Sequence, residues 1–224
     1  MSDAAGRMPV VVLLSGRGSN FEAIARQAEA GGLPVALRAA VSDRPGAGGL
    51  EIARRHGIAA EVLEPGDFAD RSAYDRALAA LVDVHRPGLV VLAGFMRILT
   101  PGFVAHYAGR MLNIHPSLLP RHRGLHTHRR VLEAGDRWHG SSVHFVTAEL
   151  DGGPVVLQVR VPVAPDDDEA RLAARVLSQE HRIYPLAIGW FASGRLALHD
   201  EAAWLDGRRL DTPVSIDADQ RLPA

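Results

Sequence analysis

Asn113 and His115 stand two residues apart at the end of a short apolar run, Met111-Leu112-Asn113-Ile114. Residues i and i+2 of a strand face the same side. The two side chains would therefore point together near a strand's carboxyl end, the edge where open α/β sheets bind ligands. An amide donor can hold a carbonyl oxygen as it gains negative charge. An imidazole beside it can move a proton near neutral pH. The pair suits chemistry at a carbonyl carbon. A capped strand end with a satisfied histidine accounts for the same residues, because polar side chains often bond to nearby backbone.

Two other segments carry chemical potential. Ser15-Gly16-Arg17-Gly18-Ser19-Asn20 lies between an apolar run and a helical pattern. Glycines allow a tight turn and close approach of a ligand, and a helix N-terminus attracts phosphate. The run is neither a Walker A loop nor G-x-G-x-x-G, and a tight turn with Asn20 as the helix cap also fits. Leu150-Asp151-Gly152-Gly153-Pro154 offers a carboxylate that could sit against a histidine; read alone, Asp-Gly is first a turn pair. His122, His126 and His128 have no carboxylate or thiolate at an obvious ligand spacing, so no metal site is expected. Gly94 to Leu99 could line an apolar pocket, and Asp166-Asp167-Asp168 reads as a solvated helix start.

The elements that must position these residues follow from hydrophobic pattern. Short apolar, β-branched runs at residues 10–14, 35–41, 59–63, 89–93 and 111–114 read as strands. Helical spacing is found over residues 21–30, 49–56, 73–84 and 101–107. Strands alternating with helices imply an α/β fold with an open, mostly parallel twisted sheet and a Rossmann-like N-terminal half. After His115 the pattern changes. Residues 125–134 have helical character, and residues 141–147 and 155–161 read as antiparallel strands joined by the Asp151 loop. Residues 168–181 form a long helix, and the tail from Asp200 reads as peripheral.

The 224 residues, 47% hydrophobic, are enough for one domain with a sizeable core. With 25 basic against 26 acidic residues, the chain lacks the basic footprint of a nucleic-acid binder. The absence of cysteine excludes disulfides, thiolate zinc sites and a thiol nucleophile, and fits a cytoplasmic protein. The segment before Met8 is short and polar, unlike a signal peptide. No apolar run approaches the roughly 20 residues of a membrane helix.

Together and in order, these motifs resemble the phosphoribosylglycinamide formyltransferases, folate-dependent enzymes of purine synthesis. The matching segments include Leu14 to Asn20, Val90 to Leu99, Leu112 to Pro120, Gly124-Leu125-His126-Thr127-His128, Val143-His144-Phe145-Val146, Leu150 to Pro154 and Gln179-Glu180-His181. They span nearly the whole chain, from Val10 to about Leu210. The resemblance implies a formyltransferase fold in a single domain, 1–224, with a nucleotide-phosphate-binding half (8–112) and a catalytic and folate-binding half (113–210). It implies transfer of the formyl group of 10-formyltetrahydrofolate, as co-substrate, to the amine of glycinamide ribonucleotide. Asn113 would hold the formyl oxygen and contribute to folate binding. His115 would be the general acid and proton shuttle. Asp151, helped by an ordered water, would orient His115 and favour its charged form. Gly18, Ser19 and Asn20 would cradle the ribonucleotide, and Glu180 would hold its ribose or amine end. Leu92, Met96, Arg97, Ile98, Leu99 and Val104 would bind the pterin. Arg71 matches a position near the substrates and is grouped with the folate site.

The implied partners are small-molecule substrates, with no nucleic acid and no membrane; a homodimer stays open. Arg121-His122-Arg123 departs from the family, which often has a basic-aromatic-proline run there. Two relatives of the catalytic core are set aside as expectations. A methionyl-tRNA formyltransferase carries a further C-terminal domain, for which this chain ends too early. A formyltetrahydrofolate deformylase carries an N-terminal regulatory domain, for which the first strand starts too early. A non-catalytic nucleotide-binding module would not need Asn113, His115 and Asp151 together.

Overall fold

The computed structural model describes residues 6–223. Most of the segment before Met8, read above as an unmatched polar extension, lies outside the described residues.

The apolar runs form the middle of an eight-stranded sheet. Strand β1 (Met8–Leu14) has Val10 to Leu14 at 0% exposure, so it is covered on both faces. This is why its sequence does not alternate. It pairs in parallel with β2 (Val35–Ser42) and β4 (Leu89–Leu92). β3 (Ala59–Val62) extends one edge, and β5 (Met111–His115) follows β4 in parallel. β6 (Trp138–Phe145) then runs antiparallel to β5 and to β7 (Val155–Pro162). The order is β11-β7-β6-β5-β4-β1-β2-β3, where β11 is Val214–Asp217.

Alternate residues of β1 feed two cores. Val10, Val12 and Leu14 pack with α1 (Ser19–Glu29), α2 (Gly48–Arg55) and α6 (Glu169–Ala192) through Phe21, Ile24, Leu50, Ile183 and Ile188. Val11 and Leu13 pack with α3 (Arg71–Val84) and α4 (Pro101–His106) through Tyr74, Leu78, Phe103 and Val104. A short α5 (Thr127–Glu133) precedes β6.

Four expectations are corrected. Helix α1 begins at Ser19 with Gly18 as N-cap, so Asn20 sits in the first turn and does not cap it. Helix α6 does not stop near His181 but continues through Pro185 to Ala192. The tail is not simply peripheral. β8 (Leu196–His199), β9 (Ala202–Leu205) and β10 (Arg208–Arg209) form a separate small sheet, and β11 then pairs in parallel with β7 in the main one. The acidic run is only partly a solvated helix start. Asp168 accepts the Arg171 N–H as a cap, whereas the side chain of Asp167 is 2% exposed and gripped by Arg175.

Candidate active site

Strand β5 ends at the sheet edge, where the βα connections gather. Asn113 and His115 occupy the same face of it, as their spacing predicts. What neither run reveals is the neighbour. Because β6 is antiparallel, its residues stand directly beside those of β5, pairing Asn113 with His144 and His115 with Ser142.

The amide of Asn113 lies 3.0 Å, Nδ2 to Nε2, from His144. His144 Nδ1 is 2.9 Å from the Phe145 carbonyl, which can only accept. The proton must therefore sit on Nδ1, leaving Nε2 to accept from Asn113. This fixes the amide orientation: one Nδ2 hydrogen is spent on His144 and the other stays free for a ligand oxygen. Burial pushes the His144 imidazole down to about 4, which keeps it neutral and able to accept.

Asp151 reaches the same place from the β6–β7 connection. Its Oδ2 is 3.4 Å from His115 Nδ1, and its Oδ1 is 3.9 Å from His144 Nε2. The side chains of His115 and Asp151 are 8% and 9% exposed. His115 Nε2 is 3.1 Å from the His122 carbonyl. His115 thus has an oxygen near each ring nitrogen, the His122 carbonyl at Nε2 and Asp151 Oδ2 at Nδ1. Asp151 occupies the left-handed region at φ +49, which aspartate tolerates better than most residues. The following glycines permit this close turn: a Cβ on Gly153 would fall 1.9 Å from the Phe145 carbonyl oxygen.

The second part of the site lies where α1 and α6 meet. Asn20 Nδ2 donates to Glu180 Oε2 at 2.7 Å. Ser141 Oγ lies 2.9 Å from the His115 carbonyl and 3.1 Å from Glu180 Oε1. The hydroxyl has one proton, and the carbonyl can only accept it. That proton is shared between the His115 carbonyl and Glu180 Oε1, both of which accept from Ser141 Oγ. Burial raises the Glu180 carboxyl above its ordinary range, while the hydrogen bonds from Asn20 and Ser141 pull it back down. Gly18, at φ +81, serves packing first: a Cβ there would meet Gly49 Cα at 2.5 Å.

The apolar residues expected at the pterin divide in two. Leu92, Leu99 and Val104 are buried beside one another in the α3–α4 core. Met96 and Ile98 are 62% and 56% exposed, an unusual display of large apolar side chains. Arg97 turns inward, with its guanidinium 4.9 Å over the Tyr74 ring and 4.0 Å from Asp43, so its side chain is already engaged. Arg71 is exposed at the start of α3, three residues before Tyr74.

Sequence reasoning missed Ser141 and the role of His144. Both become visible only through the antiparallel register. The histidine run has separate fates. His122 bonds to Asp136, and His128 Nδ1 lies 2.8 Å from His139 Nε2.

A model of the family described as "Formyl transferase" matches residues 8–188. The chain belongs to the formyl transferase family. Within it, the chain is 58% identical over 203 residues to phosphoribosylglycinamide formyltransferase of Escherichia coli (strain K12), covering 91% of this chain and 96% of that relative. It is 39% identical over 189 residues to the trifunctional purine biosynthetic protein adenosine-3 of Homo sapiens, covering 84% of this chain and 19% of that much longer one. Among solved structures, phosphoribosylglycinamide formyltransferase of Coxiella burnetii superposes with a TM-score of 0.89 at 44% identity, covering 93% and 99% of the two chains. A formyltetrahydrofolate deformylase from Burkholderia mallei gives 0.80 at 25% identity, with 89% of this formyl transferase and 70% of the deformylase covered.

The buried histidines give a pH prediction. Burial pushes His139 down to about 3 and His144 down to about 4. In the unfolded chain both would protonate near about 6.5. Below that value the unfolded state takes up protons that the folded state refuses, so stability is full above it and is lost as pH falls toward 4. The urea midpoint should be clearly lower at about pH 5 than at about pH 7.5. Equal midpoints would contradict the buried neutral assignment.

Proposed function

We propose that this chain transfers the formyl group of 10-formyltetrahydrofolate to the amine of glycinamide ribonucleotide, giving N-formylglycinamide ribonucleotide and tetrahydrofolate in purine biosynthesis. The observation that carries this reading is the convergence of Asn113, His115 and Asp151, from distant parts of the chain, beside a buried carboxyl at Glu180. The names of its relatives support the same substrates.

In this reading the whole chain acts as one formyltransferase domain. The ribonucleotide phosphate lies at Gly18, Ser19 and Asn20, against the start of α1. Glu180, with Asn20, receives the amine end. The exposed Met96 and Ile98, with Leu92, Leu99, Val104 and the backbone at Arg97, hold the pterin; Arg71 serves the folate side. The amine nitrogen attacks the formyl carbon, and a C–N bond forms as the carbonyl π electrons move to oxygen. The free Nδ2 hydrogen of Asn113 holds that oxyanion. The oxyanion's electrons return to re-form the carbonyl as the C–N bond to the folate breaks; His115 gives its proton to the departing folate nitrogen and then takes up the proton lost by the amine, which restores it. Asp151 holds the imidazolium in place. The reaction needs no metal in this scheme and takes place between two small molecules. It neither requires nor excludes a homodimer. A cytoplasmic setting suits both substrates.

The test is formyl transfer by the purified chain, with glycinamide ribonucleotide against other amines and against no amine. A rate that requires glycinamide ribonucleotide is expected. Formate release without any amine would favour a deformylase-like hydrolase. No rate above background, with nucleotide still bound, would leave only a binding module.

A further inference from the structure

Arg121-His122-Arg123 is where the chain departs from the pattern it otherwise resembles. The structure bonds this run to both members of the His115–Asp151 pair. The His122 carbonyl accepts His115 Nε2–H at 3.1 Å. Two residues on, Gly124 N–H donates to Asp151 Oδ2 at 2.9 Å. That is the same oxygen that faces His115 Nδ1. Arg123 pairs with Glu149, two residues before Asp151, and its carbonyl accepts from Arg130 Nη1 at 2.6 Å. One short segment thus grips the imidazole from one side and its carboxylate partner from the other.

The backbone doing this is in a disfavoured shape. His122 has φ +54 and Gly124 φ +80. A non-glycine residue keeps such a conformation only where its surroundings hold it there. The holding group is Asp136, at the turn between α5 and β6. Its Oδ2 lies 2.7 Å from His122 Nε2, and its Oδ1 accepts from Arg121 Nη2 at 2.5 Å. The Asp136 side chain is 10% exposed and that of His122 14%, so the contact is sheltered from water. The Arg121 carbonyl is pinned in turn by Ser117 Oγ–H at 2.7 Å.

We propose that His122 is a positioning residue for the reaction. Latched to Asp136, its side chain fixes the left-handed backbone whose carbonyl holds His115 Nε2–H, and so keeps the opposite ring nitrogen on Asp151. The inference rests on the reading of His115 as the proton carrier. The latch acts on the ring's orientation, so it governs turnover and leaves ribonucleotide and folate binding alone.

The experiment compares His122→Ala with His122→Asn in the full chain. Alanine removes the latch. Asparagine keeps a polar group toward Asp136 and accepts a left-handed backbone readily. His122→Ala should lower kcat by about ten- to a hundredfold with both KM values within about twofold, the size expected for a misaligned catalytic group. His122→Asn should recover most of that loss. His122→Ala combined with Asp136→Ala should lose no more than Asp136→Ala alone, which already breaks the shared His122 contact along with the Arg121 pair. Should the alanine variant fail to fold, His122→Leu, which fills the space but offers Asp136 no donor, should give the same kcat–KM split. A slowly exchanging His115 Nε2–H signal in 15N NMR should be present in the unaltered chain and lost in His122→Ala. Unchanged kcat, additive losses, or an NMR signal that survives would each overturn the proposal. Absence of formyl transfer in the unaltered chain would instead overturn the assigned reaction, and the NMR readout would still decide the latch.

Discussion

Replacing His115 by alanine is expected to lower kcat by about a hundredfold to ten-thousandfold, the range that a positioned general acid or base contributes. The loss should fall on kcat with little change in ribonucleotide affinity, because the phosphate loop and Glu180 belong to α1 and α6, and Ser141 ties Glu180 to the backbone carbonyl of His115 rather than to its ring. His115 is held at both ring nitrogens, by the His122 carbonyl and by Asp151. Removing it leaves Asp151 with the Gly124 N–H as a remaining partner, so the fold should survive. Turnover by stopped-flow or steady-state assay, beside ribonucleotide titration by calorimetry, separates the two effects. A variant that turns over normally would remove His115 from the mechanism. One that no longer binds ribonucleotide would make its role structural.

Asn113→Ala should cost about a hundredfold to a thousandfold in kcat, as the loss of one oxyanion donor does elsewhere. The cost has two parts. The free Nδ2 hydrogen aimed at the developing oxyanion disappears. The acceptor on His144 Nε2 also loses its donor inside a buried site, which costs desolvation without return. Substrate KM should shift far less than kcat, because the ground-state formyl oxygen is a weaker acceptor than the oxyanion. If KM rises while kcat holds, Asn113 binds substrate and does not stabilise the tetrahedral intermediate.

Much of this was legible in the residues. β4 and β1 from Pro9 onward are fully buried, and an uninterrupted apolar run is their direct consequence; β2 is broken by the exposed Arg38, and β5 by Asn113 and His115. The Asn113–His115 spacing was legible too, because period two is a property of any strand. Asp151 was not legible from its own segment. It is a turn residue at φ +49 and a partner of His115 at once, and only the first role has a local signature. The matching motifs taken in order singled it out. The end of α6 was not legible either, since the helix runs on through Pro185. Proline breaks exposed helices, but here Ile183, Tyr184, Ala187 and Ile188 are all fully buried, and packing carries α6 through. β11 is four residues long with only Ile216 buried, and its pairing with β7 lies more than fifty residues away in sequence. No local pattern encodes such a contact.

The reversal of β6 has a consequence for how finely the catalytic groups can be tuned. On its other side β5 is paired in register with the parallel β4, which sets Leu92 opposite Asn113. An antiparallel neighbour lays its whole length beside β5, so Asn113–His144 and His115–Ser142 are rungs of one ladder. Ladders are indexed in whole residues, about 3.4 Å each, and a slip of one turns every side chain to the opposite face. The spacing between amide and imidazole is therefore digital. Lengthening the connections at either end of β6 leaves it unchanged, whereas one residue inserted between Ser142 and His144 erases it.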